Sequence, residues 1–283
     1  MMKVFFLIPL VVLTFAHALV NGQTIWSNVP VSLDKAEYDD REAVSIKQND
    51  SIGLFLNDNV NVVFQLLNQK GELLSTAKTT VPSNYSSLKR VGTAYVNHEY
   101  LLLLAQGNKK IWAFAYDVRT NQINYRLYYN AEKDHIITLA GGVNYVHILT
   151  YNSSLKNELN IHTLSNAGIK DTKYTSSEVD LLKFLDLTSS KAIEQIACIG
   201  RTDKIHFNQS YLSNKLYHSY QELWLVNDVN QGVSSVMNLL EPIKSYVVKD
   251  IAVSDKKNKT TSIIYKNALW QLNVASLQYT LKA

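Results

Sequence analysis

Apart from His17, the histidines of the chain are His98, His135, His147, His162, His206 and His218, the side chains best suited to hold a metal ion or to move a proton near neutral pH. No two of these lie three or four residues apart, so a metal centre would have to assemble across strands. His147 and His162 are the pair that adjacent strands could bring together. A half-buried strand histidine with a satisfied hydrogen bond is the simpler expectation for each, and no metal site is assigned.

Nucleophilic and acid–base chemistry find no better footing. The single cysteine, Cys198, sits in the apolar run 196–200, where no local group would lower its pKa. It is expected to be a small buried hydrophobe, or else a free or intermolecular thiol. The chain has no Gly-x-Ser-x-Gly elbow. The carboxylates at Asp39-Asp40, and at Asp180 and Asp186, are of the type that glycosidases pair, but Asp39-Asp40-Arg41-Glu42 has the composition of a hydrated stretch. Gly141-Gly142 is expected to be a two-residue hairpin turn, not a phosphate loop, since no helix follows it. No catalytic residue and no cofactor is assigned.

Residues 1–22 explain the missing disulfides only by contrast. Lys3, an apolar run from 4 to 18 and small residues around Ala18 and Gly22 have the form of a secretory signal peptide, too short for a comfortable membrane span. Secretion permits disulfides, but a lone cysteine allows none within the chain, so packing and sheet hydrogen bonds must hold the fold. The same route makes Asn84, Asn152, Asn208 and Asn258 candidate N-glycosylation sites, with Asn49 the weakest because Asp50 follows it. The balance of 28 basic and 24 acidic residues is too even to argue for nucleic acid or an anionic membrane. Its one dense basic stretch, Lys256-Lys257-Asn258-Lys259, is expected to be a solvated turn.

The elements that must position these residues are strands. Apolar runs at 51–56, 60–67, 100–105, 111–116, 123–129, 135–140, 143–151 and 158–164 alternate with short polar turns. An apolar or aromatic residue followed by Asn or Asp recurs at Leu67-Asn68, Tyr116-Asp117, Tyr151-Asn152 and Val226-Asn227, at separations averaging about 40 residues, the size of a four-stranded propeller blade. In 111–116 the rings of Trp112, Phe114 and Tyr116 fall on one face and Ala113 and Ala115 on the other, which suits sheets stacked face to face. Residues 176–195 have mixed spacing and could hold a helical turn or two.

These patterns predict an all-β fold: a β-propeller of five or six blades of about four strands, with a β-sandwich or double-sheet arrangement as the alternative. The expected organisation is a signal peptide over 1–22, an N-terminal lead-in over 23–50 and a single all-β domain over 51–283. Trp26 in the lead-in and the final segment 277–281 are suited to closing the ring. With 17 Tyr and 4 Trp alongside many Asn and Gln, the expected activity is binding: a secreted, extracellular glycoprotein that takes a protein or carbohydrate partner without catalysis. A secreted hydrolase with its site at the propeller axis, and a structural or storage product, are the alternatives. Oligomeric state is not legible.

Overall fold

Strands buried on both faces mark the middle of each sheet, and strands exposed on one face mark its edge. Every residue of Tyr145–Tyr151 is buried, whereas Leu73–Thr80 alternates between half-buried and exposed. The computed structural model describes residues 42–48, 50–57, 60–175, 196–201, 214–229, 233–241, 246–249, 259–265, 268–275 and 278–282. The signal peptide, Trp26, Asp39-Asp40, Asp180, Asp186, Asn49, Asn208, Asn258 and the segment 176–195 lie outside these.

The described strands form five sheets. Blade 1 comprises Glu42–Gln48 (β1), Ser51–Asn57 (β2), Asn61–Asn68 (β3) and Leu73–Thr80 (β4). Blade 2 comprises Leu88–Val96 (β5), Glu99–Gln106 (β6), Lys110–Asp117 (β7) and Gln122–Asn130 (β8). Blade 3 comprises His135–Gly141 (β9), Tyr145–Tyr151 (β10), Glu158–Ser165 (β11) and Gly168–Thr175 (β12). Blade 4 holds Ile196–Arg201 (β13), Asn214–His218 (β14), Leu223–Val229 (β15), Val233–Asn238 (β16) and Tyr246–Lys249 (β17). Blade 5 holds Lys259–Tyr265 (β18), Ala268–Ala275 (β19) and Gln278–Lys282 (β20). Each sheet is an antiparallel meander except at β13, which runs parallel to β14.

The first strands of successive sheets touch one another, β1 against β5, β5 against β9 and β9 against β13, while β4 packs on β8. That is propeller-like order, with first strands inside and last strands outside. The core is divided accordingly. Phe55, Phe64, Tyr100, Phe114 and Tyr116 fill the space between blades 1 and 2, with Phe64 stacked on Tyr116 at a centroid distance of 4.0 Å. Ala113 and Ala115 turn the other way and pack with Leu101, Leu103, Val146 and Ile148 between blades 2 and 3. Leu149, Ile161, Leu216, Leu225 and Met237 join blades 3 and 4, and Tyr217, Trp224, Val236 and Ile264 join blades 4 and 5. The alternation expected at 111–116 is therefore the seam between two interfaces.

Four expectations need correction. The domain begins before residue 51, because β1 lies in the stretch assigned to the lead-in and pairs with β2 along its whole length, from Glu42↔Asn57 to Gln48↔Ser51. The recurring step is out of phase: Leu67-Asn68 and Tyr116-Asp117 fall at the ends of third strands, whereas Tyr151 ends the second strand of its sheet. β5 and β12 were not legible, because Lys89-Arg90 and the run Lys170-Asp171 place charge where apolar alternation would mark a strand. Gly141 is the last residue of β9, so the turn is 142–144, with Asn144 at φ 72°. Among the described residues no helix is long and apolar enough to cross a membrane.

Candidate functional site

In an antiparallel meander successive turns emerge at opposite ends of the sheet. The β5–β6, β7–β8, β9–β10 and β11–β12 turns therefore share one face of the propeller, and the β6–β7 and β10–β11 turns and the connection from β8 to β9 share the other. We call these the Asn97 face and the Asn152 face.

Asparagines tie the Asn97 face together. Asn97 and His98 form a two-residue hairpin with φ of 52° and 67°, the left-handed pair that a type I′ turn requires. The backbone N–H of Asn97 donates to Asn166 Oδ1 at 2.8 Å, and Asn166 Nδ2 donates to Asn144 Oδ1 at 3.2 Å. Asn144 N–H in turn donates to the Tyr95 carbonyl at 2.6 Å, and Tyr95 N–H to the Gly142 carbonyl at 2.9 Å. Three hairpins from two blades are thereby fixed to one another. Nothing in the sequence links Asn97, Asn144 and Asn166 to one another; the local signal is the left-handed asparagine of a tight hairpin at Asn97 and Asn144.

The β11–β12 hairpin stands between two cavities. Its register pairs Thr163 with Lys170 and Leu164 with Ile169, so the period of two sends these pairs to opposite faces. Leu164 and Ile169 border a cavity of about 180 Å³ against blade 2, whose other wall carries Val96, Glu99, Arg126 and Tyr128. Arg126 Nη1 donates to Glu99 Oε1 at 2.8 Å, and burial pushes the Tyr128 phenol up to about 12. Thr163, Lys170 and Thr172 border a larger groove of about 410 Å³ against blade 4, closed by Tyr220, Gln221, Leu240 and Glu241. Ile169 is 71% exposed and borders both.

Histidines hold the blade 4 wall. The carbonyl of Ser219 can only accept, so His147 Nε2 donates to it at 2.8 Å, and Nδ1 accepts from the Thr163 hydroxyl at 2.8 Å. Tyr145 meets His218 Nδ1 through its hydroxyl at 2.9 Å, and its ring lies 5.9 Å from that of Tyr220. Burial holds the His147 imidazole below its ordinary value. Its neutral form therefore stabilises the fold fully above the unfolded value near 6.5, and this contribution is lost as pH falls through the lower folded value. Thermal midpoints are expected to drop from pH 7 to pH 5, with a shallower drop in His147→Gln; equal slopes would show that this imidazole does not titrate with unfolding. Truncation to alanine at this position is expected to cost about 1–3 kcal/mol from the orphaned partners, measured by chemical denaturation at pH 7.

The structure separates the two histidines considered as a pair. His147 pairs with Thr163 and His162 with Ile148, so their side chains leave the sheet on opposite faces. His162 instead bonds Asp171 Oδ1 at 2.8 Å and Thr150 Oγ1 at 3.2 Å. No group of three or more potential metal ligands occurs among the described residues. Cys198 lies on β13, opposite Leu216 of β14. Burial and the Lys109 ammonium hold His135 low, and Asp117, held low by its bonds to Arg119, is a surface ion pair. Neither is arranged as an acid–base couple.

Both described sequons lie on the Asn152 face. Asn84 precedes a single 3-10 turn, Tyr85–Ser87, in the connection from β4 to β5, and accepts a bond from the Tyr125 hydroxyl at 3.4 Å. Asn152 opens the β10–β11 turn, accepting from Ser154 N–H at 3.0 Å and donating to Asp134 Oδ1 at 3.2 Å.

No protein-family model matches the chain, and no curated protein matches it in sequence. Among solved structures, the Dos1 propeller overlays 81% of this chain and 52% of its own at 8% identity, with a TM-score of 0.39. The WD40 domain of SCAP from fission yeast overlays 85% of this chain and 50% of its own at 12% identity and the same TM-score of 0.39. The catalytic domain of the Coprinopsis cinerea GH62 alpha-L-arabinofuranosidase covers 90% of this chain and 94% of its own at 9% identity, with a TM-score of 0.35. The chain thus spans about half the length of the first two. At these scores the overlays carry no argument, and the fold rests on the sheet order described above.

Proposed function

We propose that this is a secreted glycoprotein that binds an extracellular partner on its Asn97 face without transforming it. The observation that carries this reading is the arrangement of that face: a groove of about 410 Å³ between blades 3 and 4, continued past an exposed Ile169 into a second cavity, on hairpins locked by side-chain bonds. A preformed concave surface loses little entropy on binding, which is what a recognition site needs. The placement of Asn84 and Asn152 supports it further. Sugars attached there would cover the opposite face and leave the groove open. Asn152 could carry one and still keep its remaining amide N–H on Asp134.

Expression of the full chain in cultured eukaryotic cells tests both halves of the proposal. The protein is expected in the medium with an apparent mass that falls stepwise with Asn84→Gln and Asn152→Gln, neither of which alters capture of a partner from extracellular fluid. Ile169→Asp is expected to weaken that capture at least tenfold with unchanged thermal unfolding, because a buried apolar contact becomes a desolvated charge. Retention inside the cells would overturn the secreted glycoprotein, and capture indifferent to Ile169→Asp would overturn the assigned face.

A further inference from the structure

We infer that the occupant of the groove between blades 3 and 4 is a neutral saccharide, an assignment that rests on the binding reading of the Asn97 face. The argument begins with register. Thr163 pairs with Lys170 and Ile161 with Thr172, so Thr163, Lys170 and Thr172 belong to the single sheet face that looks toward blade 4. The floor on this side is therefore a sheet face presenting side chains, carried by β11 and by the outer strand β12. A polyol asks for side-chain donors and acceptors, which this floor supplies.

The chemistry of the walls agrees. Each sugar hydroxyl both donates and accepts, so its site needs the two kinds of group side by side. Thr172 and Gln221 offer both, Lys170 donates and Glu241 accepts, with one of the charged pair on each wall. Together they leave no net charge, which does not suit a phosphate or a polyanion. Tyr220 provides the remaining element. Tyr220 is 47% exposed, and its ring packs against that of Tyr145, itself held through its hydroxyl to His218. A tyrosine so placed gives the C–H face of a pyranose a rigid apolar platform while its hydroxyl stays available for hydrogen bonding. A volume of about 410 Å³ admits a short stretch of sugar rings rather than a folded partner.

The test uses the full chain against an array of neutral oligosaccharides, followed by calorimetric titration of the best binder with wild type, Tyr220→Ala, Gln221→Ala and Leu127→Ser. Leu127 is exposed on β8 and borders neither cavity. Tyr220→Ala is expected to weaken binding about tenfold, the loss of one aromatic contact. Gln221→Ala should weaken it several-fold, and Leu127→Ser should leave it unchanged, with thermal midpoints the same throughout. The saccharide assignment fails if no neutral glycan binds above background, or if those that bind are indifferent to Tyr220→Ala and Gln221→Ala. If it fails while partner capture still depends on Ile169, the binding face stands with a protein as its occupant. If capture is also indifferent to Ile169, both fall.

Discussion

Asp228→Ala is expected to be the most destabilising single change described for this fold. Asp228 Oδ2 accepts from Lys215 Nζ at 2.6 Å and from the backbone N–H of Ser262 at 2.9 Å, with the two charged side chains only 4% and 2% exposed. Lys215 Nζ and the Tyr217 hydroxyl both donate to the Ser262 carbonyl, at 3.2 and 2.9 Å. The network runs from β14 and β15 into β18 and so joins blade 4 to blade 5. Removing the carboxylate leaves a buried ammonium without its counter-charge, for which a loss of about 3–5 kcal/mol is expected. In a domain of this size that is on the order of 10 °C in thermal midpoint. The double variant Lys215→Met with Asp228→Leu should recover most of it, because the charges cost about as much to bury as they return. A loss below about 1 kcal/mol in the single variant would show that water reaches the pair.

Gly141→Ala should be nearly as costly for a steric reason. A Cβ at Gly141 would stand 2.1 Å from the Thr93 carbonyl oxygen and 3.1 Å from Ala94 Cβ. The obstacle is mostly backbone, so β5 and β9 would have to separate where Tyr95 bonds Gly142 and Asn144. About 3 kcal/mol is expected, at the upper end for overpacking. The Asn144–Asn166–Asn97 chain should loosen with it, seen as faster amide exchange at Asn97. Gly107 provides the contrast: its φ of 55° is left-handed, but nothing lies within 4 Å of an added Cβ. Gly107→Asn should cost well under 1 kcal/mol, since asparagine tolerates that conformation. Equal losses at the two positions would place the cost in glycine's backbone freedom, not in the close approach.

Gly141 also marks the limit of what was legible. The sequence signals a chain reversal near it, but the reason for glycine lies in Thr93, a residue of the neighbouring blade that no local pattern connects to it. Middle strands such as β6 and β10 were legible because burial on both faces writes a continuous apolar run. β5 and β12 were not, because an inner or outer strand is only partly covered and tolerates Lys89, Arg90, Lys170 and Asp171. The direction of Trp112, Phe114 and Tyr116 was legible from alternation alone. The groove was not: its walls come from residues 163–172 and 220–241, which meet only once blades 3 and 4 are stacked. Lys215 and Asp228 had no sequence signature either, since a charged residue inside a strand ordinarily points to water.

The parallel strand β13 sets the order in which the molecule can assemble. Blades 1 to 3 are meanders, each strand pairing with the one just before it, so their contacts are local and can form as the chain emerges from the ribosome. Among the described strands β13 has no such partner: it pairs in parallel with β14, a strand later in the chain. Its inner position against β9 therefore waits on sequence synthesised later. Until blade 4 is made, the side of blade 3 bearing Ile137, Leu149 and Ile161 lacks its cover from Leu216 and Leu225, and an apolar face stays open to solvent during biosynthesis.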